Sequence, residues 1–147
     1  MIPIDFSGVS LKLQQTDGVT RVFDPVRRKW LVLTPEEHVR QYLLQYLCNT
    51  LHYPAARIAV EKAINVGVMN KRYDIVVYDH NHQPWMLIEC KAPEVEITER
   101  TLQQLLAYHS AVPCRYWVLS NGIDTFCADA QDYEAVKWLG ELPVING

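Results

Sequence analysis

No apolar run in this 147-residue chain approaches the roughly 20 residues needed to cross a bilayer; the longest, such as Trp85-Met86-Leu87-Ile88, span a few residues. Residues 1–8 lack the basic segment and apolar stretch of a secretory signal, so a soluble, cytoplasmic protein without a membrane partner is expected. An excess of positive charge is missing too. Fourteen Lys and Arg stand against seventeen Asp and Glu, a net charge of −3, so any contact with nucleic acid must use a local patch or a partner. Cysteine is scarce and scattered: Cys48, Cys90, Cys114 and Cys127 form no C-x-x-C and no finger spacing, which argues against a zinc site and reads as reduced, mostly buried thiols. The six Gly and eight Pro fall singly, with no repeat, low-complexity tract or linker. With 49% hydrophobic and 21% charged residues the composition is that of one globular domain over 1–147.

Short strands are expected over 11–15 and 19–23 around Thr16-Asp17-Gly18, within an N-terminal extension covering 1–27. Thr34-Pro35-Glu36-Glu37 then supplies an N-cap, a proline at the first helical position and acids in the first turn. That helix should run to about residue 51, with Val39, Leu43, Tyr46, Leu47 and Leu51 as its apolar stripe and Glu36 and Arg40 on the same side. Three strands rich in Ile, Val, Tyr and Trp follow over 57–66, 71–78 and 85–91. A helix over 97–111 packs on Leu102, Leu105, Leu106 and His109; two strands over 115–119 and 125–128 flank Asn121-Gly122; a last helix is expected over 132–139. The order predicts an α/β or α+β fold, a mixed sheet flanked by helices.

The strand Trp85-Met86-Leu87-Ile88-Glu89-Cys90-Lys91 is apolar until it ends in two charges one residue apart. Alternation puts Glu89 and Lys91 on the face of Leu87 and turns Cys90 away. In the preceding strand Asp74 is the one acid of an apolar run; pairing Tyr78 with Trp85 places Val76 by Leu87, Asp74 by Glu89 and Arg72 by Lys91. Facing carboxylates with Cβ atoms on the order of 5 Å apart repel unless a cation lies between them. Two carboxylates with the backbone carbonyl of Cys90 suit Mg²⁺, or Mn²⁺ as a substitute, and Lys91 beside them suits activation of a water or stabilisation of phosphate charge. This is the apparatus of metal-assisted phosphodiester hydrolysis. An acid and a lysine at i, i+2 also make an ordinary exposed ion pair; the apolar setting and the second acid favour the site.

The run Arg28-Lys29-Trp30, then Thr34-Pro35-Glu36-Glu37-His38-Val39-Arg40-Gln41, Lys71-Arg72-Tyr73-Asp74-Ile75-Val76-Val77, Ile88-Glu89-Cys90-Lys91-Ala92-Pro93, and finally Gln104 and Tyr108, resembles the N-terminal nuclease domain of type I restriction enzyme R subunits. That domain belongs to the PD-(D/E)xK superfamily, and the resemblance covers residues 28–128. It implies a restriction-endonuclease-like fold and a DNA endonuclease. In it, Asp74 and Glu89 match the metal ligands and Lys91 the catalytic lysine. Glu36 and Glu37 both match the supporting acid of the first helix, with the helical wheel preferring Glu36. Gln104 and Tyr108 match a Q-x-x-x-Y motif associated with positioning DNA or the catalytic centre. Tyr73 stands where the motif's literal proline would be.

An R subunit continues into a translocase motor, whereas this chain contains no G-x-x-x-x-G-K-[ST], so a free-standing nuclease-like domain is expected. DNA would approach over Arg27, Arg28, Lys29, Arg40, Lys71 and Arg72, and the partners implied are DNA, the proteins of a restriction or defence complex, and a second copy in a homodimer. The alternative is a catalytically silent nuclease-like fold used for DNA binding or protein docking; RNA or branched DNA would be a third substrate class. His80 and His82 read as loop histidines, His109 as a core residue, and the four tryptophans as packing.

Overall fold

The computed structural model describes residues 1–107 and 112–145. Strands β1 (Leu13–Thr16), β2 (Val19–Asp24) and β3 (Lys29–Val32) form a three-stranded antiparallel sheet. Strands β4 (Ile58–Val66), β5 (Met69–Tyr78), β6 (Pro84–Cys90), β7 (Tyr116–Ser120), β8 (Thr125–Asp129) and β9 (Lys137–Trp138) form a six-stranded sheet in that order. All of its neighbours are antiparallel except β6 and β7, which are parallel. The crossover between those two carries helix α2 (Glu99–Leu106), and helix α1 (Pro35–Gln45) precedes the sheet. The fold is thus the expected mixed α+β class. No helix of the described residues is long and apolar enough to cross a membrane.

Helix α1 starts as its sequence dictates: the Thr34 hydroxyl accepts the N–H of Glu37 at 3.0 Å and Pro35 needs no partner for a missing N–H. It ends earlier than expected as a regular helix, because a π-helical turn over Tyr46–Thr50 takes over after Gln45. Helix α2 is fixed by a reciprocal cap between Thr98 and Thr101. The part of the expected helix over 108–111, including His109, lies outside the described residues.

The two faces of the large sheet bury different sets. Val39, Leu43 and Leu44 of α1 pack on Ile75, Val77, Met86 and Ile88, while Leu102 and Leu105 of α2 pack on Tyr73, Val76, Leu87 and Trp117. The N-terminal segment contributes Ile2, whose N–H bonds the carbonyl of Thr125 and whose side chain is buried on the α1 side. After β7, Gly122 adopts φ +85° and lies against Val39, where the Asn121 carboxamide oxygen accepts the N–H groups of Ile123 and Asp124.

Three expectations change. The helix expected over 132–139 is a short 3₁₀ turn, Tyr133–Ala135, followed by β9; Asp132 caps the turn, and Lys137 then pairs with Asp129 and Trp138 with Ala128 as an edge strand. Val76 does face Leu87, but Tyr78 faces Pro84 rather than Trp85, because a bulge lies between Val77 and Tyr78. Strict alternation also fails at Asp74. Tyr73 and Val76 share the α2 side although an odd number of steps separates them, and opposite this irregularity Glu61 of β4 adopts φ +52°.

Candidate active site

The β5–β6 ladder closes with the pair Ile75 and Ile88. Beyond it the side chain of Asp74 replaces the backbone: Oδ2 accepts the N–H of Cys90 at 2.8 Å, and Oδ1 accepts Nη2 of Arg40 at 2.6 Å. Asp74 therefore turns toward α1 instead of keeping the face of Val76 and Leu87 as expected from alternation. Glu89, opposite Leu119 of β7, pairs with Lys71 Nζ at 2.7 Å. Lys91 follows directly, and its N–H bonds the carbonyl of Ser120 at 2.8 Å, which extends the β6–β7 alignment by one residue and fixes the lysine's place.

These groups line one groove at the end of β5 and β6. It consists of two adjoining hollows that share Lys71, Glu89 and Lys91. The first, about 320 Å³, is walled by Thr101, Gln104 and Leu105 of α2. The second, about 280 Å³, is walled by Glu36, Arg40, Glu61, Arg72 and Asp74. Glu36, Asp74, Glu89 and Lys91 are thus brought together, with Gln104 across from the last two. Tyr108 lies outside the described residues.

Of the two candidate acids in α1, Glu36 is the one at the groove. Its side chain is 50% exposed, and partial burial together with the Asp74 carboxylate pushes its carboxyl above the ordinary range, against the pull of Arg40 and Lys91. Glu37 is buried and serves the interior: its carboxylate accepts from Arg40 Nη1 at 2.7 Å, Arg27 Nη2 at 3.1 Å and Gln41 Nε2 at 3.2 Å.

Arg40 itself is buried, and the phosphate contact expected of it gives way to an internal role. Its guanidinium bridges Asp74 and Glu37 and approaches Glu36 and Glu61. Burial works against its charge, and the Asp74 and Glu37 carboxylates more than offset that, so the guanidinium is held protonated. Arg27 is similarly engaged with Asp24, Glu37 and Glu61. A continuous ion chain therefore runs from Asp24 of β2 through Arg27, Glu37 and Arg40 to Asp74. Arg28 and Lys29 are exposed on the small sheet and line neither hollow. Lys71 and Arg72 do line the groove.

The donor set is rich in hard oxygen: four carboxylates, Glu36, Glu61, Asp74 and Glu89, border the groove, and β6 ends there at Cys90. Such a set fits Mg²⁺ or Mn²⁺ by chemistry. In this arrangement each central acid is held by an internal cation, and among the described residues no three acid, His or Cys side chains are gathered closely enough to hold a metal ion together. Burial, reinforced by the negative charge of Asp74, pushes the Cys90 thiol far up, and its side chain is buried in the α1-side core, away from the face of Leu87, which disfavours it as a nucleophile. Glu61, Thr101 and Asp24 were not legible as site residues, and Arg27, expected on the path of DNA, is instead held in the ion chain; Glu61 is an exposed acid in an edge strand, which carries no signal of its own.

The arrangement can be set beside known proteins. Residues 35–143 match the family model for the type I restriction enzyme R protein N terminus. The chain belongs to that family. The match covers α1, α2 and the whole six-stranded sheet, the elements that carry Glu36, Gln104, Asp74 and Glu89, together with Lys91 directly after β6. No curated protein matches the chain. Among solved structures it is similar to a DUF820 protein from Anabaena variabilis ATCC 29413, provisionally termed a nuclease, at 13% identity and a TM-score of 0.50 over 89% of this chain and 84% of that one. At that identity the likeness bears on the fold.

Proposed function

We propose that the chain is a Mg²⁺-dependent DNA endonuclease domain of the restriction R-subunit kind, with Mn²⁺ able to substitute. The observation that carries this reading is the convergence of Glu36, Asp74, Glu89 and Lys91 on one groove, supplied by α1, β5 and β6 in the order of the family motif. Asp74, Glu89 and the Cys90 carbonyl would hold the metal, which when bound supplies Lewis-acid activation of a water and of the phosphoryl oxygen. The groove's second hollow balances four acids, Glu36, Glu61, Asp74 and Glu89, with four bases, Arg40, Lys71, Arg72 and Lys91, so a dication turns it net positive and receptive to a phosphodiester. Lys91 places an ammonium where phosphate charge develops. Glu36, at the rim, orients water by its carboxyl, and Gln104 borders the path of the substrate strand. Arg72, exposed at the groove, and Lys71 receive backbone phosphates, with Arg28 and Lys29 as an outlying basic pair on the small sheet. Proteins of a restriction complex or a second copy of the chain would supply the remaining contacts.

The pairing of Asp74 with Arg40 and of Glu89 with Lys71 supports a second reading, a silent DNA-binding or docking module whose acids are permanently neutralised. Supercoiled plasmid incubated with the protein and Mg²⁺ separates the two. Nicking by the wild type that disappears in folded Asp74→Asn and Lys91→Ala variants supports the nuclease. Nicking retained in both variants removes the proposed site, and DNA retention without nicking in any condition favours the module.

A further inference from the structure

At the other end of β5 a separate cavity of about 560 Å³ opens beside the hairpin that joins β5 to β6. It shares no lining residue with the groove: Tyr78 at its far wall lies seven residues along the strand from Lys71, about 23 Å at the rise of a β-strand, while Lys62 at its near edge pairs with Tyr73 and follows Glu61, two residues of the groove. Four potential donors to an anion border it: Arg57, Lys62, His80 and His82. Asp79 is its one acid, and Oδ1 of that carboxylate already accepts the N–H groups of Asn81 and Gln83. In a chain of net charge −3 such a concentration of donors and cations is a local reversal of sign.

The rest of the wall is of a different kind. Ala56, Ala59 and the ring of Tyr78 give the cavity an apolar side, and its volume falls in the range of small-molecule sites, far more than a bare inorganic anion fills. Burial pushes the Tyr78 phenol up, so its O–H remains a donor. His82 adopts φ +60°, a left-handed conformation that glycine takes without cost; the chain keeps an imidazole there nonetheless, at the cavity's edge. A ligand that satisfies both halves has a phosphate for the cations and imidazoles and a flat ring for Tyr78.

We propose that this cavity binds a phosphate-bearing nucleotide, either free or as the 5′-terminal nucleotide of a strand, at a site distinct from the groove. The placement of the cavity along β5 favours a nucleotide over a phosphorylated peptide, and that preference rests on the nuclease reading; the phosphate chemistry does not.

Calorimetric titration of the whole chain in EDTA with 5′-deoxyadenylate tests it. Binding at least tenfold tighter than that of deoxyadenosine is expected, weakened at least tenfold in Lys62→Ala and in His80→Asn/His82→Asn, and unchanged in Asp74→Asn. Lys62, His80 and His82 are exposed, so these variants should retain the wild-type melting temperature. Competition by 5′-phosphorylated oligodeoxynucleotide but not its 5′-hydroxyl form identifies a strand terminus as the ligand, and competition by neither identifies the free nucleotide. Absence of binding by both deoxyadenylate and the phosphorylated oligonucleotide, binding indifferent to Lys62→Ala and the histidine pair, or a preference for phosphotyrosine overturns the proposal. Loss of binding in Asp74→Asn alone, in protein whose unfolding curve shows it folded, would place the nucleotide in the groove instead, overturning the separate site while leaving the nuclease reading intact.

Discussion

Replacing Arg40 by methionine keeps most of the side chain's length and removes the cation between two carboxylates. In the native protein Nη1 lies 2.7 Å from Glu37 and Nη2 lies 2.6 Å from Asp74, in a side chain only 7% exposed. Breaking a buried ion pair costs about 3–5 kcal/mol, because the abandoned charge stays desolvated. Glu37 would retain Arg27 and Gln41, and Asp74 the N–H of Cys90 and some contact with water. Those remaining partners put the loss at the lower end, about 3 kcal/mol, which for a chain of this size lowers the melting temperature by about 6–12 °C. Urea unfolding followed by tryptophan fluorescence measures it. Arg40→Lys should recover less than half of the loss, since one ammonium cannot present two separate nitrogens to two carboxylates. Arg40→Met within about 0.5 kcal/mol of the wild type would refute the idea that this guanidinium holds Asp74 and Glu37 together.

Lys71→Met frees Glu89 from its 2.7 Å partner and should raise Mn²⁺ affinity about tenfold in calorimetry; unchanged or weaker binding would argue that Glu89 is no ligand. Asp24 is buried, which pushes its carboxyl up, but the N–H and guanidinium of Arg27 and the amide of Gln41 outweigh that and hold it below the ordinary range. Its contribution is present above the unfolded value and lost as pH falls through the lower folded one. Asp24→Asn should therefore cost about 3 kcal/mol in urea unfolding at pH 7, with the gap to wild type narrowing below about pH 4. Gly122→Ala, at φ +85° with a Cβ only 3.1 Å from Val39 Cγ2, should lose at least 1–2 kcal/mol, about the cost of the left-handed conformation, in the same assay.

The elements of this fold were legible where local chemistry decides them. Thr34-Pro35-Glu36-Glu37 marked the start of α1, and the apolar runs around Val76, Leu87 and Val118 marked the central strands. The terminal strand was missed because Lys137 and Trp138 owe their extended form to pairing with Asp129 and Ala128 and not to a strand pattern of their own. The candidate acids and lysine were legible as charges closing an apolar strand. Their orientation was not: the turn of Asp74 toward Arg40 accompanies the break in the alternation of β5, opposite the left-handed residue Glu61 in another strand. Arg40 looked like a groove cation because its charge is visible in the sequence, whereas the carboxylates that enclose it come from β5, β4 and its own helix.

The most direct test is a calorimetric titration of Mn²⁺ into the wild-type chain and into Asp74→Asn/Glu89→Gln, with unfolding curves confirming that both are folded. Saturable binding that falls at least tenfold in the double variant is the predicted result, since those carboxylates are the proposed ligands. Equal affinity in the two proteins would contradict it and leave the groove without its metal.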